Sequence, residues 1–307
     1  MTQFKNTYLY FWGGKMKNFI TITLLTFIII LTSNIKSYSQ EIGNFYFLYG
    51  NEKNDKAIMY LQVFNDNEVN GYYYTSNNES FDFEGKIQGN ELDIQLKDKD
   101  YNDVGTIKGS LSYDLIFEGK RNSKKIKLSL ANTKINKARI YKTDTYIYGQ
   151  SLLFQFDSNV LNKAMEEYNY YGFYNITYLD DNIIIFKILG AGERSAGVGF
   201  IAFSINDGKH IAIEDFLNIK DPNLIAKCKY FYENGVNFQD LSYCCSFNIT
   251  PHGKITLLYD PGTTIIYGDE FEGGGSYVTP GEITQEYTFE ELKPYLKKNS
   301  ALDYLFN

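Results

Sequence analysis

Phe81-Asp82-Phe83-Glu84-Gly85-Lys86-Ile87, then Gln88-Gly89-Asn90, then Glu91-Leu92-Asp93-Ile94-Gln95-Leu96-Lys97 is the stretch that decides the fold. A β-strand sends successive side chains to opposite faces, so alternating apolar and polar residues mark a strand with one face buried and one wet. Glycine and asparagine accept the left-handed backbone of a tight reversal, which makes the three residues between the runs a turn. The stretch therefore predicts an antiparallel hairpin. The same pattern repeats on both sides. Phe45 to Tyr49, Ala57 to Phe64, Asn70 to Thr75, Gly105 to Leu111, Leu115 to Lys120 and Lys125 to Leu130 read as further strands. Asn65-Asp66-Asn67, Asn77-Asn78 and Arg121-Asn122-Ser123 punctuate them. Eight strands with short loops predict an all-β antiparallel meander over residues 40–142, either a small barrel or a curved sheet.

The texture changes after Lys142. Val160 to Tyr168 has helical spacing with Ser158 or Asn159 as its cap, whereas Asn182 to Leu189 and Gly199 to Ile205 are apolar runs of strand length. Ile213 to Leu217 and Pro222 to Tyr232 suggest short helical pieces, and Ser246 to Thr250 with Lys254 to Tyr259 flanks the turn Pro251-His252-Gly253. A last strand near Ile283 to Tyr287 runs into Thr288-Phe289-Glu290-Glu291, a capping box that opens a terminal helix. Residues 143–307 are thus expected to form an α+β domain with an antiparallel sheet, and the whole chain a mixed fold.

Ahead of these regions the chain reads Lys15-Met16-Lys17-Asn18, then an apolar run from Phe19 to Leu31, then Ser37-Tyr38-Ser39-Gln40. A cationic start, a short apolar middle and small residues at the end are the layout of an export signal over residues 1–39, with cleavage after Ser39 and Met16 as a possible true start. The apolar run is about 13 residues against the roughly 20 of a spanning helix, so no transmembrane helix is expected once the signal is cut. The expected address is periplasmic or extracellular. Removing the leader takes away four lysines and no acid, and the formal net charge goes from −7 to about −11. So acidic a surface disfavours nucleic acid and favours a basic partner. The lone tryptophan, Trp12, lies in the leader, which lowers the case for a tryptophan-based carbohydrate platform.

The mature chain holds Cys228, Cys244 and Cys245. In an oxidising compartment Cys228 with either neighbour of the pair would close a loop of about 16 residues; free buried thiols are the alternative. His210 and His252 read as turn residues, and no metal or cofactor is expected. Gly190-Ala191-Gly192 resembles the start of a dinucleotide fingerprint but runs on into a strand rather than a helix, so it reads as a strand-to-strand loop. The most unusual local sequence is Gly268-Asp269-Glu270-Phe271-Glu272 followed by three glycines, Ser276 and Tyr277. Asp269, Glu270, Glu272 and Tyr277 are the candidate binding contacts. Two of the three carboxylates form the alternative, a hydrolytic acid and base pair.

Gly199 to Phe216, Phe247 to Asp260 and Tyr287 to Leu296 resemble an exported domain of unknown function, the one at the C-terminus of the lysozyme-sensing anti-sigma factor RsiV. The resemblance covers about residues 150 to 305. It implies a binding role and a lysozyme-like partner. The loop Gly190 to Gly197 and the insertion Gly268 to Pro280 depart from the family, and only about 18 residues precede the apolar run, so a sigma-factor-binding segment has no counterpart. Gly71 to Tyr74, Glu84 to Leu92 and Phe117 to Ile126 are similar to β modules of exported Bacteroidetes proteins, which imply no activity. The expected function is that of a non-catalytic exported envelope protein that binds a protein or a cell-wall component. The alternative is an envelope glycan or peptidoglycan hydrolase.

Overall fold

The computed structural model describes residues 40–77, 79–145, 149–168, 172–192, 195–227, 244–259, 265–267, 276–278 and 283–306. The export signal expected over 1–39 lies outside them. From Glu41 onward the described chain is one compact unit. It is mostly β, with few helices.

The eight strands expected in the first half are present as β1 (Glu41–Glu52), β2 (Asp55–Phe64), β3 (Glu68–Thr75), β4 (Ser80–Gln88), β5 (Glu91–Lys97), β6 (Asp103–Leu111), β7 (Phe117–Arg121) and β8 (Lys124–Leu130). Each pairs antiparallel with the next, and β8 pairs back onto β1 from Leu48↔Leu130 to Glu52↔Ile126. Of the two forms expected, a closed barrel is the one adopted. Eight strands leave an interior just wide enough for side chains to fill. Leu48, Met59, Leu61, Tyr73, Phe83, Ile94, Ile107 and Phe117 fill it. Gly71 lies on β3 with φ at +152°, and a Cβ there would stand 1.8 Å from the Tyr60 carbonyl oxygen. Only glycine fits that approach.

Strand β1 belongs to two neighbours on one edge. Its second half holds β8, while Glu41 to Tyr46 pairs with β9 (Lys137–Thr145). The changeover is at Phe47, whose N–H donates to the Asn136 carbonyl at 2.8 Å and whose carbonyl accepts from Ala131 N–H at 2.8 Å. From β9 the sheet continues through β10 (Gly149–Gln155), β11 (Gly172–Leu179), β12 (Ile183–Gly192), β13 (Ser195–Ser204) and β14 (His210–Ile211). Position 142 lies inside β9. Strands β9, β10 and β11 were not legible as strands in the sequence. Helix α1 (Asn159–Glu167) begins where expected, with the Ser158 hydroxyl accepting from Leu161 N–H.

Along β11 and β12 this second sheet is buried on both faces. On one side Phe154, Phe173, Ile176, Phe186 and Phe203, with Leu161 and Met165 of α1, pack against the outer wall of the barrel at Phe45, Phe47, Tyr60, Tyr72 and Tyr74. On the other side Tyr178, Ile183, Ile185 and Ala202 meet a three-stranded sheet of β15 (Cys244–Thr250), β16 (Lys254–Tyr259) and β19 (Ile283–Thr288). Helices α2 (Pro222–Lys227) and α3 (Phe289–Leu292) and short 3-10 turns close that layer. Thr288 and Glu291 form the expected capping box. A separate hairpin joins β17 (Ile265–Tyr267) to β18 (Ser276–Val278). Among the described residues no helix is long and apolar enough to cross a membrane.

Candidate functional site: a groove on the barrel wall

The strands that decide the fold also line an open groove. On β1 to β3 the second sheet covers the outer barrel wall. On β4 to β6 it does not, and where the cover stops a groove of about 1020 Å³ runs along β3 to β6. Strand β3 contributes Glu68, Asn70 and Tyr72; β4 contributes Asp82, Glu84 and Lys86; β5 contributes Glu91, Asp93, Gln95 and Lys97; and β6 contributes Lys108. Asn175 of β11 forms part of the far wall, and Tyr101, on the β5–β6 loop, is also part of the lining.

Charges in the groove are laid out across strands. Lys97 Nζ is 2.6 Å from Glu84 Oε1, and Lys108 Nζ is 2.6 Å from Asp93 Oδ2. Lys187, on β12, stands 3.8 Å from Asp82 and 3.5 Å from the Tyr101 hydroxyl, so it ties the second sheet to this wall. Burial pushes the Asp82 carboxyl up, and Lys187 and Lys97 only partly offset it. At the foot of the far wall lies a row of amides. Gln62 and Asn70 are register partners, and Gln62 Nε2 donates across to Asn175 Oδ1 at 2.6 Å, which also accepts from Ile176 N–H. Asn70 Oδ1 is buried with no hydrogen-bond partner. A buried acceptor without a donor costs free energy, which makes the position notable.

A second charged cluster lies inside the barrel. Arg121 Nε donates to both Glu52 carboxylate oxygens at 3.1 Å, its Nη2 to Glu79 at 2.6 Å, and the Tyr73 hydroxyl donates to Glu52 at 2.9 Å. Phe81 and Tyr73 present ring faces to the guanidinium at 5.1 and 5.9 Å. Burial works to raise the Glu79 carboxyl, but Arg121, with Thr75 and Lys124, outweighs it and holds the group below the usual carboxylate range. These polar atoms are paired with one another, so the cluster closes that end of the barrel rather than offering a ligand site.

Of the residues singled out in the sequence, Asp269, Glu270 and Glu272 lie outside the described residues. Tyr277 is in β18, its backbone opposite Ile266, and its side chain lies outside the described set. Cys228 is outside as well. Cys244 and Cys245 open β15, but their sulfurs are not among the described atoms. The glycine stretch ends β12 and pairs antiparallel with β13, with Gly190↔Gly197 and Gly192↔Ser195 in register. Burial lowers the pKa of both histidines. His210 stacks near Tyr168 and Phe203, whereas His252 lies against the Tyr74 ring with its Nε2 3.2 Å from the Glu79 carbonyl oxygen. Among the described residues no three histidine, cysteine, aspartate or glutamate side chains converge to hold a metal. The groove residues were read in the sequence only as the wet face of strands. No local signal separates a wet strand face from a groove floor; the difference is made by β11 and β12 packing beside it.

No protein-family model, curated protein or solved structure matches this chain.

Proposed function

We propose that this chain is a non-catalytic exported protein of the cell envelope that works by binding, with residues 143–307 an α+β domain of the RsiV-like type. The groove on the barrel wall is its contact surface. The observation that supports this most is the form of the groove: about 1020 Å³ of open space, lined by charged and amide side chains among apolar surface, on strands whose backbones are already paired. Sites on rigid strands hold recognition geometry better than sites on loops. An acidic chain attracts a basic partner at low salt, which fits a lysozyme-like protein. A wall polymer is the other candidate.

The test uses the purified chain from Gln40 onward, with basic lysozyme and isolated peptidoglycan as probes at low and high salt. Saturable binding of either probe that is lost in the double variant Glu84→Lys, Asp93→Lys supports the reading. Both carboxylates are mostly exposed, with side chains 65% and 59% accessible, so the fold tolerates their reversal. Binding of neither probe, or binding indifferent to the double variant, removes the groove from consideration.

One observation favours the hydrolase reading. Asp82, pushed up by burial, and Glu84, ion-paired with Lys97, share the outer face of β4. Two carboxyl groups in unlike surroundings are what acid and base roles require. Release of reducing ends from peptidoglycan that disappears in Asp82→Asn would establish it. Absence of any release by the parent protein rejects it.

A further inference from the structure

Resting on the groove as contact surface, we infer that its ligand is a linear polyhydroxyl chain, a neutral or amine-bearing oligosaccharide. The first ground is the floor. Strands β3 to β6 are hydrogen-bonded on both sides within a closed barrel, so they have no free edge and cannot take up a peptide by strand addition. Recognition there falls to side chains alone.

The second ground is the kind of side chain. The lining carries five carboxylates and three lysines. Two of the lysines are engaged with carboxylates of the same wall, Glu84 and Asp93. The residual charge is negative, which repels nucleic acid, polyuronates and other polyanions. Carboxylates, amides and short ion pairs laid out along a strand are what hydroxyl groups need, since each hydroxyl can donate and accept. An apolar ligand would have to desolvate these groups without replacing their water.

The third ground is Asn70. Its Oδ1 is buried without a partner and sits in the groove lining beside the buried Gln62 and Asn175. A ligand hydroxyl that reaches this oxygen on rotation of the Asn70 side chain would supply the donor it lacks. From Asp82 to Gln88 along β4 the groove is about 20 Å long at roughly 3.3 Å per residue, the shape of a short polymer rather than a single small molecule. Tyr101 is 65% exposed in the loop after β5 and offers a ring face against which a sugar's C–H face can lie. The absence of tryptophan beyond the leader is no obstacle, because hydrogen bonding rather than stacking dominates this surface.

Calorimetric titration of the purified chain with neutral chito-oligosaccharides, their de-acetylated amine form and an oligo-uronate tests the inference. The neutral and amine forms are expected to bind and the uronate to fail. Asn70→Leu is expected to weaken binding about five- to tenfold, as loss of one hydrogen bond to ligand implies, while thermal stability holds or rises because an unsatisfied buried group is removed. Tyr101→Ala is expected to weaken binding, whereas Tyr101→Phe, which removes only the hydroxyl that meets Lys187, is expected to retain it. Equal binding of the uronate overturns the inference. So does binding of neutral forms unaffected by Asn70→Leu and Tyr101→Ala. If lysozyme binds in a manner sensitive to Glu84→Lys, Asp93→Lys and no oligosaccharide does, the sugar assignment falls while the groove remains the contact surface.

Discussion

Arg121 is 5% exposed and Glu52 2% exposed, and each is the other's main compensation inside the barrel. Removing one partner of such a pair leaves the other charge buried and alone, at a cost of about 3 to 5 kcal/mol. Arg121→Met should therefore lower the urea midpoint severely, and Arg121→Met with Glu52→Gln should recover much of the loss. Two titrations nearby separate by pH. Burial, with Tyr74 packed against the ring, lowers the His252 pKa and Lys254 adds to it, while the hydrogen bond to the Glu79 carbonyl and the Glu286 carboxylate favour the proton and only partly offset the burial. Below the ordinary value of 6.5 the unfolded chain takes a proton that the folded chain refuses, so stability falls as pH drops from there. Glu79 acts lower. Its folded pKa is depressed, so its contribution is present above the ordinary value of 4.5 and is lost as pH falls through the folded value. His252→Gln should flatten the stability curve just below neutrality, and Glu79→Gln only its acid limb, as read by denaturant titrations across pH.

Strands β4 to β8 were legible because one face is wet: Asp82, Glu84 and Lys86 alternate with Phe83, Gly85 and Ile87. Strands β1 to β3 were read by the same alternation, and in β3 the structure adds cover on both faces. Tyr72, Tyr73 and Tyr74 are all buried, the middle one inside the barrel and its neighbours against the second sheet. Aromatics on both faces of a strand go with cover on both sides. Helix α1 was found through its cap; Ser158→Ala should cost about 1 kcal/mol, read from the thermal midpoint and heat of unfolding. Strand β11 escaped although its partner follows it directly: Gly172 to Leu179 pairs with β12 across register shifts, and the irregular pairing blurs the two-residue period. Gly71→Ala forces a Cβ onto the Tyr60 carbonyl and should cost about 2 kcal/mol or more, measured in urea.

At the scale of the molecule β1 is the shared spine, since its Glu41 to Tyr46 half starts the second sheet and its Leu48 to Glu52 half closes the barrel. A chain cut after the barrel would keep every barrel pairing yet expose Phe45, Phe47, Tyr60, Tyr72 and Tyr74 together. Apolar patches of that kind drive association, so a fragment of residues 41–132 should elute as oligomers or aggregate in size exclusion, whereas the chain from Gln40 onward should not. What the amino-acid sequence determined by itself was periodic: eight alternating strands, their turns, the caps of α1 and α3, and an acidic balance. Those follow from contacts between residues near in the chain, where side-chain period and turn chemistry are sufficient. Closure of the barrel, the division of β1 between two sheets and the groove on β3 to β6 were decided only by tertiary structure. They depend on which strand lies beside which, and Asp82, Glu84 and Asn70 have the same local pattern whether the space above them is open water or the floor of a groove walled by Asn175.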